Sequence, residues 1–148
     1  MLGHSFDGEI KIGGNYVPIV RDHHQVFVSG QIPRVGNTVV VTGAAGSEVD
    51  LKSAQTAAKI CAMRALALLQ RSLGSLDNVR SIVRITVFVR SAPDFTQQSE
   101  VADGASEVLF RVLGDAGAHT RTSVGVLQLP KGATVEIDLI ASTASVDA

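Results

Sequence analysis

The sequence predicts an α+β fold in which a single mixed β-sheet carries two helices packed on one face. Three observations lead there. Short apolar runs at Val26-Phe27-Val28 and Val39-Val40-Val41 make the first third mostly β. A long alanine-rich stretch from Leu51 to Leu73 then shows helical spacing. After it, the alternating segment Val79 to Arg90 precedes a second helical pattern and two closing strands, giving the order β-β-β-α-β-α-β-β.

Glu9-Ile10-Lys11-Ile12 alternates and reads as the first strand. Val26-Phe27-Val28, ended by Ser29-Gly30, reads as a second strand buried on both faces. Val39-Val40-Val41 is the third, with Gly36-Asn37 as the turn before it. In the first helix Ala54, Ala58, Cys61, Ala65, Leu69 and Leu73 form a buried stripe, with Asp50 as N-cap and Gly74 as the stop. Lys52, Gln55, Lys59 and Arg71 are left to face water. From Val79 to Arg90, strict alternation puts Val83, Ile85, Val87 and Val89 on the core face, with Ile82, Thr86 and Phe88 on the other. Asp94 can cap the second helix, whose Phe95, Ala102, Ala105, Leu109 and Val112 lie along one side until Gly114 or Gly117. The closing strands, about 122–127 and 134–141, form a hairpin-like pair around Pro130 and Gly132.

At 148 residues the chain fits one domain, 1–148, able to bury a core without disulfide or metal staples. Thirteen Lys and Arg against 14 Asp and Glu leave a net charge of -1, so the electrostatic footprint of a nucleic-acid binder is missing. One cysteine, Cys61, excludes an intrachain disulfide and fits a reducing compartment. The N-terminus lacks the pattern of a signal peptide and no apolar stretch is long enough for a membrane, so the expectation is a soluble cytoplasmic protein. His23-His24 and His119 have no acid or cysteine cluster at ligand spacing and read as loop or surface residues, with no metal site.

Four blocks recur in a known order: Gly14-Asn15-Tyr16-Val17, Phe27-Val28-Ser29-Gly30-Gln31-Ile32-Pro33, Ile85-Thr86-Val87-Phe88-Val89, and Arg121-Thr122-Ser123-Val124 continued through Leu129-Pro130 to Val135-Glu136-Ile137. Together they make the chain resemble the RidA/YjgF/UK114 family of enamine/imine deaminases. The resemblance implies a chorismate-mutase-like fold and a homotrimer whose sheets form a central β-barrel, with one cleft at each subunit interface. In agreement, the face turned away from the helices carries Ile82, Thr86, Phe88, Glu136 and Ile140, a mixture suited to a surface covered by a partner.

The implied reaction hydrolyses a 2-enamine or 2-imine acid of the 2-aminoacrylate or 2-iminobutanoate type to a 2-keto acid and ammonia. It needs a grip on the carboxylate, a positioned water and a proton path; the carbon is already electrophilic, so no metal or other cofactor is required. The resemblance places the carboxylate grip on Arg121, where a guanidinium can make two parallel hydrogen bonds; outside that context it is an arginine in a surface ion pair. Glu136, opposite in direction to Val135 and Ile137, matches the glutamate that orients or deprotonates water, or else is a solvated edge-strand acid. Tyr16, the only tyrosine, matches the one lining the cleft, and also suits packing at a subunit boundary. Ser29 and Gly30 match a turn that meets the ligand, or are ordinary turn residues.

Three positions depart from the family pattern. Asn15 stands where proline is frequent, Gly125 where many deaminating members have an acid, and Asp103 where the resemblance puts a helix asparagine. A carboxylate at Asp103 facing the cleft would repel an acid substrate. Two further readings follow: a non-catalytic trimer binding small carboxylates or 2-keto acids, which Gly125 and Asp103 favour, and a ribonuclease, which the near-neutral charge disfavours.

Overall fold

The computed structural model describes residues 3–6, 8, 10 and 12–144. Its elements are β1 (Ile19–Asp22), β2 (Gln25–Gln31), β3 (Arg34–Val35), β4 (Thr38–Val39), α1 (Leu51–Leu73), β5 (Val79–Arg90), α2 (Gln98–Leu113), β6 (Thr120–Val126) and β7 (Val135–Thr143). A five-stranded sheet runs β1-β2-β7-β5-β6, and β3-β4 form a separate small hairpin. Every pairing is antiparallel except β5 with β6. That parallel pair needs a crossover, and α2 supplies it.

The first helix forms where its sequence places it. Asp50 Oδ1 accepts from the Ser53 amide at 2.7 Å, and Gly74 closes the C-terminus at φ 83°. Its buried alanines let the helix lie close over β2 and β7, so Ala54, Ala58, Cys61 and Ala65 pack against Val26, Val28, Val135 and Ile137 in one core. Of the residues expected to face water, Lys52 and Arg71 are exposed, whereas two meet α2: Gln55 Nε2 donates to the Glu100 carbonyl at 2.8 Å, and Lys59 pairs with Glu107 at 3.3 Å. A Cβ on Gly104 would lie 2.4 Å from the Gln55 carbonyl oxygen, so the helices cross at a point that admits no side chain.

Several expectations are corrected. The closing strands are not a hairpin, because β5 lies between them, bonded in parallel to β6 and antiparallel to β7. The chain from β6 to β7 passes over the end of β5, where the Ser91 amide donates to Val126 and the Arg90 amide to Thr134. Alternation in β5 is broken by a bulge between Ile82 and Arg84, so Ile82 is 1% exposed and Val83 is 40% exposed, the reverse of the simple pattern. The second helix starts at Gln98 rather than at Asp94, which sits in a turn where the Phe95 amide bonds the Ala92 carbonyl. Val112 lies on that helix's outer side.

Phe27, expected inside, is 39% exposed because only Val26 and Val28 face the helices. Val39 joins β4 after the Gly36-Asn37 turn, but the strand ends there and leaves out Val40 and Val41. Of the expected first strand, Glu9 and Lys11 lie outside the described residues, and Ile10 and Ile12 are in no strand; β1 takes that place. None of the described helices is long and apolar enough to cross a membrane.

The bulge predicts a sharp contrast between neighbours. Ile82→Ala should cost about 3 kcal/mol of stability, as for a filled core site, and Val83→Ala less than about 1 kcal/mol. Urea unfolding of the two variants measures the difference; equal losses would place the bulge elsewhere.

Candidate functional site

One cavity of about 230 Å³ opens at the end of β2, lined by Tyr16, Gly30, Arg34, Arg64, Lys131 and Glu136, with Ile12, Ile32 and Pro130 among its apolar wall. It exists because β2 carries one extra residue against β7: Val28 pairs with Leu139 but Gln31 with Ile137. The bulge brings Gly30 against Glu136, and a Cβ at Gly30 would lie 2.8 Å from Glu136 Oε2. Glycine is therefore required there for space. Glu136 lies across from Phe88, on the sheet face turned away from the helices. Among the described residues no hydrogen bond or ion pair holds its carboxyl. Burial, and then the charge of Asp138, push its pKa above the ordinary glutamate value.

A buried clamp shapes the same wall. Arg64 projects from α1 at 3% exposure; its Nε donates to Gln31 Oε1 at 3.2 Å and its Nη1 to the Arg34 carbonyl at 2.8 Å. Gln31 Nε2 in turn donates to the Ser29 carbonyl at 3.1 Å. Burial holds the Arg64 pKa below its ordinary value, and the nearby Arg34 charge adds to that. Sequence reasoning noted Arg64 only as an interruption of an apolar run. A lone charge within such a run was the available signal.

Arg121 belongs to a second cluster. It pairs across from Ile85, so it lies on the helix side of the edge strand β6, on the opposite face of the sheet from Glu136. Its Nη1 donates to Asp103 Oδ1 at 2.9 Å and to Ser106 Oγ at 3.0 Å; its Nη2 donates to Ser99 Oγ at 2.9 Å and to the Ser99 carbonyl at 3.3 Å. Asp103 thus faces Arg121 as a counter-charge. His119 completes the cluster. Its Nδ1 lies 2.6 Å from the Gly117 carbonyl and must donate, so Nε2 of the neutral ring accepts from Ser106 Oγ at 2.8 Å. The bonds then run one way, from guanidinium to hydroxyl to imidazole to carbonyl. Ser99, Ser106 and His119 were missed, although Ser99, Asp103 and Ser106 are spaced as one helical stripe.

The structure therefore brings Tyr16, Gly30 and Glu136 to one cavity and Arg121 and Asp103 to another place. Ser29 does not line this cavity, and its hydroxyl donates to the Pro18 carbonyl at 3.2 Å. Gly125 lies beside Gln98 and Ser91; a Cβ there would stand 2.8 Å from Gln98 Nε2. His23 and His24 form the turn between β1 and β2. No group of three or more His, Cys, Asp or Glu among the described residues could hold a metal ion.

The sequence matches the family described as Endoribonuclease L-PSP over residues 7–143. The chain belongs to the YjgF/RidA family. Among curated relatives of this YjgF/RidA chain, Protein TCP17 of Trypanosoma cruzi is 43% identical over 127 residues, 85% of this chain and 79% of that protein. Among solved structures, the protein Atu1372 of Agrobacterium tumefaciens, described as of unknown function, has a TM-score of 0.86 at 41% identity, covering 88% of this chain and 83% of that one. TdcF of E. coli, solved with bound serine, has a TM-score of 0.63 at 27% identity, covering 90% of this chain and 91% of that one.

The raised Glu136 pKa has a definite sign in stability. The native state holds this proton more tightly than the unfolded chain, so the group favours folding below the unfolded value of about 4.3 and that favour is lost as pH rises through the folded value. Glu136→Gln should raise the melting temperature at pH 7 relative to the parent, with the gain shrinking toward about pH 4. Thermal unfolding at both pH values decides it, and a gain that grows on acidification would contradict the assignment.

Proposed function

We propose that this chain is a hydrolytic deaminase of reactive 2-enamine and 2-imine acids of the 2-aminoacrylate and 2-iminobutanoate type. The observation that carries the reading is the Glu136 carboxyl, unpartnered among the described residues, raised in pKa, and set in a cavity with Tyr16 and Gly30. Serine bound to the related TdcF supports a small ligand bearing nitrogen and a carboxylate on one carbon.

The active unit in this reading is a homotrimer. Val20, Phe27, Val83 and Val124 are all exposed, and those on β1, β2 and β6 share the sheet face away from the helices, so packing of three copies would cover them. In this reading Arg121 of one copy reaches the Glu136 cavity of the next, because within one chain the two lie on opposite faces and cannot share a substrate. Arg121 then fixes the substrate carboxylate, and Ser99, Ser106 and Asp103 fix Arg121. Glu136 takes a proton from water as the oxygen bonds C2 and the C=N electrons move to nitrogen. The carboxyl returns that proton to the amine. Glu136 then moves the C2 hydroxyl proton to nitrogen, so the C–N bond breaks with its electrons on nitrogen, the oxygen electrons close the C2 carbonyl, and ammonia and the 2-keto acid leave.

A second reading, a non-catalytic trimer binding small carboxylates or 2-keto acids, is favoured by one observation. Asp103 already neutralises Arg121, and both Nη atoms donate within the chain, Nη1 to Asp103 and Ser106 and Nη2 to Ser99. Saturable binding of 2-oxobutyrate with no imine hydrolysis would establish it.

Ammonia release from 2-aminoacrylate generated in situ is the direct test. Arg121→Ala should lower kcat/KM at least about a hundredfold with the melting temperature and sedimentation of the assembly kept. Retained turnover would remove Arg121 from the mechanism. RNA incubated in parallel serves as the control that the family's description calls for, and its salt-sensitive cleavage would displace the deaminase reading.

Asp103→Asn should lower KM for the same substrate by a few-fold, because the carboxylate no longer competes with a fixed one for the guanidinium. A raised KM, measured in the same assay, would show that Asp103 holds Arg121 in place rather than competing with its ligand.

A further inference from the structure

The cavity beside Glu136 carries more positive charge than one carboxylate grip requires. Within a single chain, Arg34, Arg64 and Lys131 line it, and Glu136 is the only acid lining it among the described residues. Arg34 and Arg64 are close enough that the charge of one depresses the pKa of the other. Like charges are not gathered around a small hollow without cost, so their placement asks for an anion.

Two of these cations are uncommitted. Arg34 Nε is enclosed without a hydrogen-bond partner among the described residues. The ion pairs of the described residues include neither Arg34 nor Lys131. Meanwhile the wall that carries Arg34 is fixed, because Arg64 grips its carbonyl at 2.8 Å and the neighbouring Gln31 at 3.2 Å. Lys131 is held at the rim with φ 59°, a left-handed backbone that a lysine seldom adopts. A guanidinium carried on a tied backbone and a strained lysine flanking one hollow are what a second anionic group on a ligand would meet.

We propose that the cavity selects ligands with a second anionic group, so that the preferred substrates are 2-imino acids with an acidic side chain, recognised by Arg34 and Lys131. This rests on the deaminase reading for the word substrate, but not for the binding preference. In a completed site the two ends are read separately: Arg121 takes the carboxylate next to the imine, and the Arg34 and Lys131 pair takes the distal one. The reacting carbon lies between them, beside Glu136. A neutral side chain would leave the enclosed Arg34 Nε without a partner, which is how a site built for a charged group rejects its uncharged analogue.

The experiment is calorimetry on the full chain with 2-oxoglutarate, 2-oxobutyrate and inorganic phosphate, alongside imine hydrolysis with amino-acid oxidases generating the imines of glutamate and of alanine. The parent should bind 2-oxoglutarate about tenfold to a hundredfold more tightly than 2-oxobutyrate and phosphate. Arg34→Gln, which keeps the carbonyl that Arg64 holds, should reduce that preference by a similar factor, and Lys131→Gln by less. Equal binding of the two keto acids, phosphate binding as tight as 2-oxoglutarate, or an unchanged preference in Arg34→Gln with an unchanged melting temperature would each overturn the proposal. Preference for 2-oxoglutarate without hydrolysis of either imine would sink the deaminase reading and leave this one standing. Hydrolysis of the alanine imine with no preference for dicarboxylates would do the opposite.

Discussion

Everything in this fold depends on how β5 is bonded. It is the one strand with a parallel neighbour on one side and an antiparallel neighbour on the other, and it is the longest. A parallel neighbour must arrive by a crossover, which fixes α2 on the face it shares with α1. An antiparallel neighbour can arrive only after the chain passes over the end of β5, and that passage carries Pro130 and Lys131 to the mouth of the Glu136 cavity. The ladder also sets which way each polar side chain points. Arg121 is in register with a core residue and Glu136 with Phe88, so a single strand separates the two clusters onto opposite faces.

The second constraint is electrostatic. A guanidinium at 3% exposure is tolerated only if its donors are met, and Arg64 meets its need with the Gln31 side chain and the Arg34 backbone. Because the partners belong to the segment after the β2 bulge, satisfying the core arginine and shaping the cavity wall are one event. The same bulge frees the space in which Glu136 sits. A hydrophobic replacement at Arg64 would leave the bulge segment without its tie to α1. Helix, bulge and cavity are mechanically linked through one side chain.

What the sequence revealed and what it hid divide along the range of the interactions. The first helix was legible to the residue, because Asp50, the alanine stripe and Gly74 are local signals. The bounds of β5 were equally clear, but the bulge at Val83 was not, since one residue shifts the phase without changing the composition. The false hairpin arose because Pro130 and Gly132 mark a turn without saying which strand the chain returns to. At the candidate site, Tyr16, Gly30 and Glu136 were named and do meet at one cavity. Arg34 and Arg64 were not: Arg64 is a cation inside a helix stripe that acquires meaning only when the segment it holds is known, and Arg34 belongs to that segment. Asp103 was suspected of facing a ligand, and it faces Arg121.

The single thiol offers something separate from chemistry at the cavity. Cys61 is fully enclosed, its Sγ directed at the Val135 carbonyl, and burial pushes its pKa far above the usual thiol range. In the closed molecule it has neither the access nor the ionisation that alkylating or oxidising reagents need. Its modification thus waits on a fluctuation that lifts α1 from β7, and the rate under excess reagent reports how often that occurs. The chain carries a built-in clock for the opening of its own core.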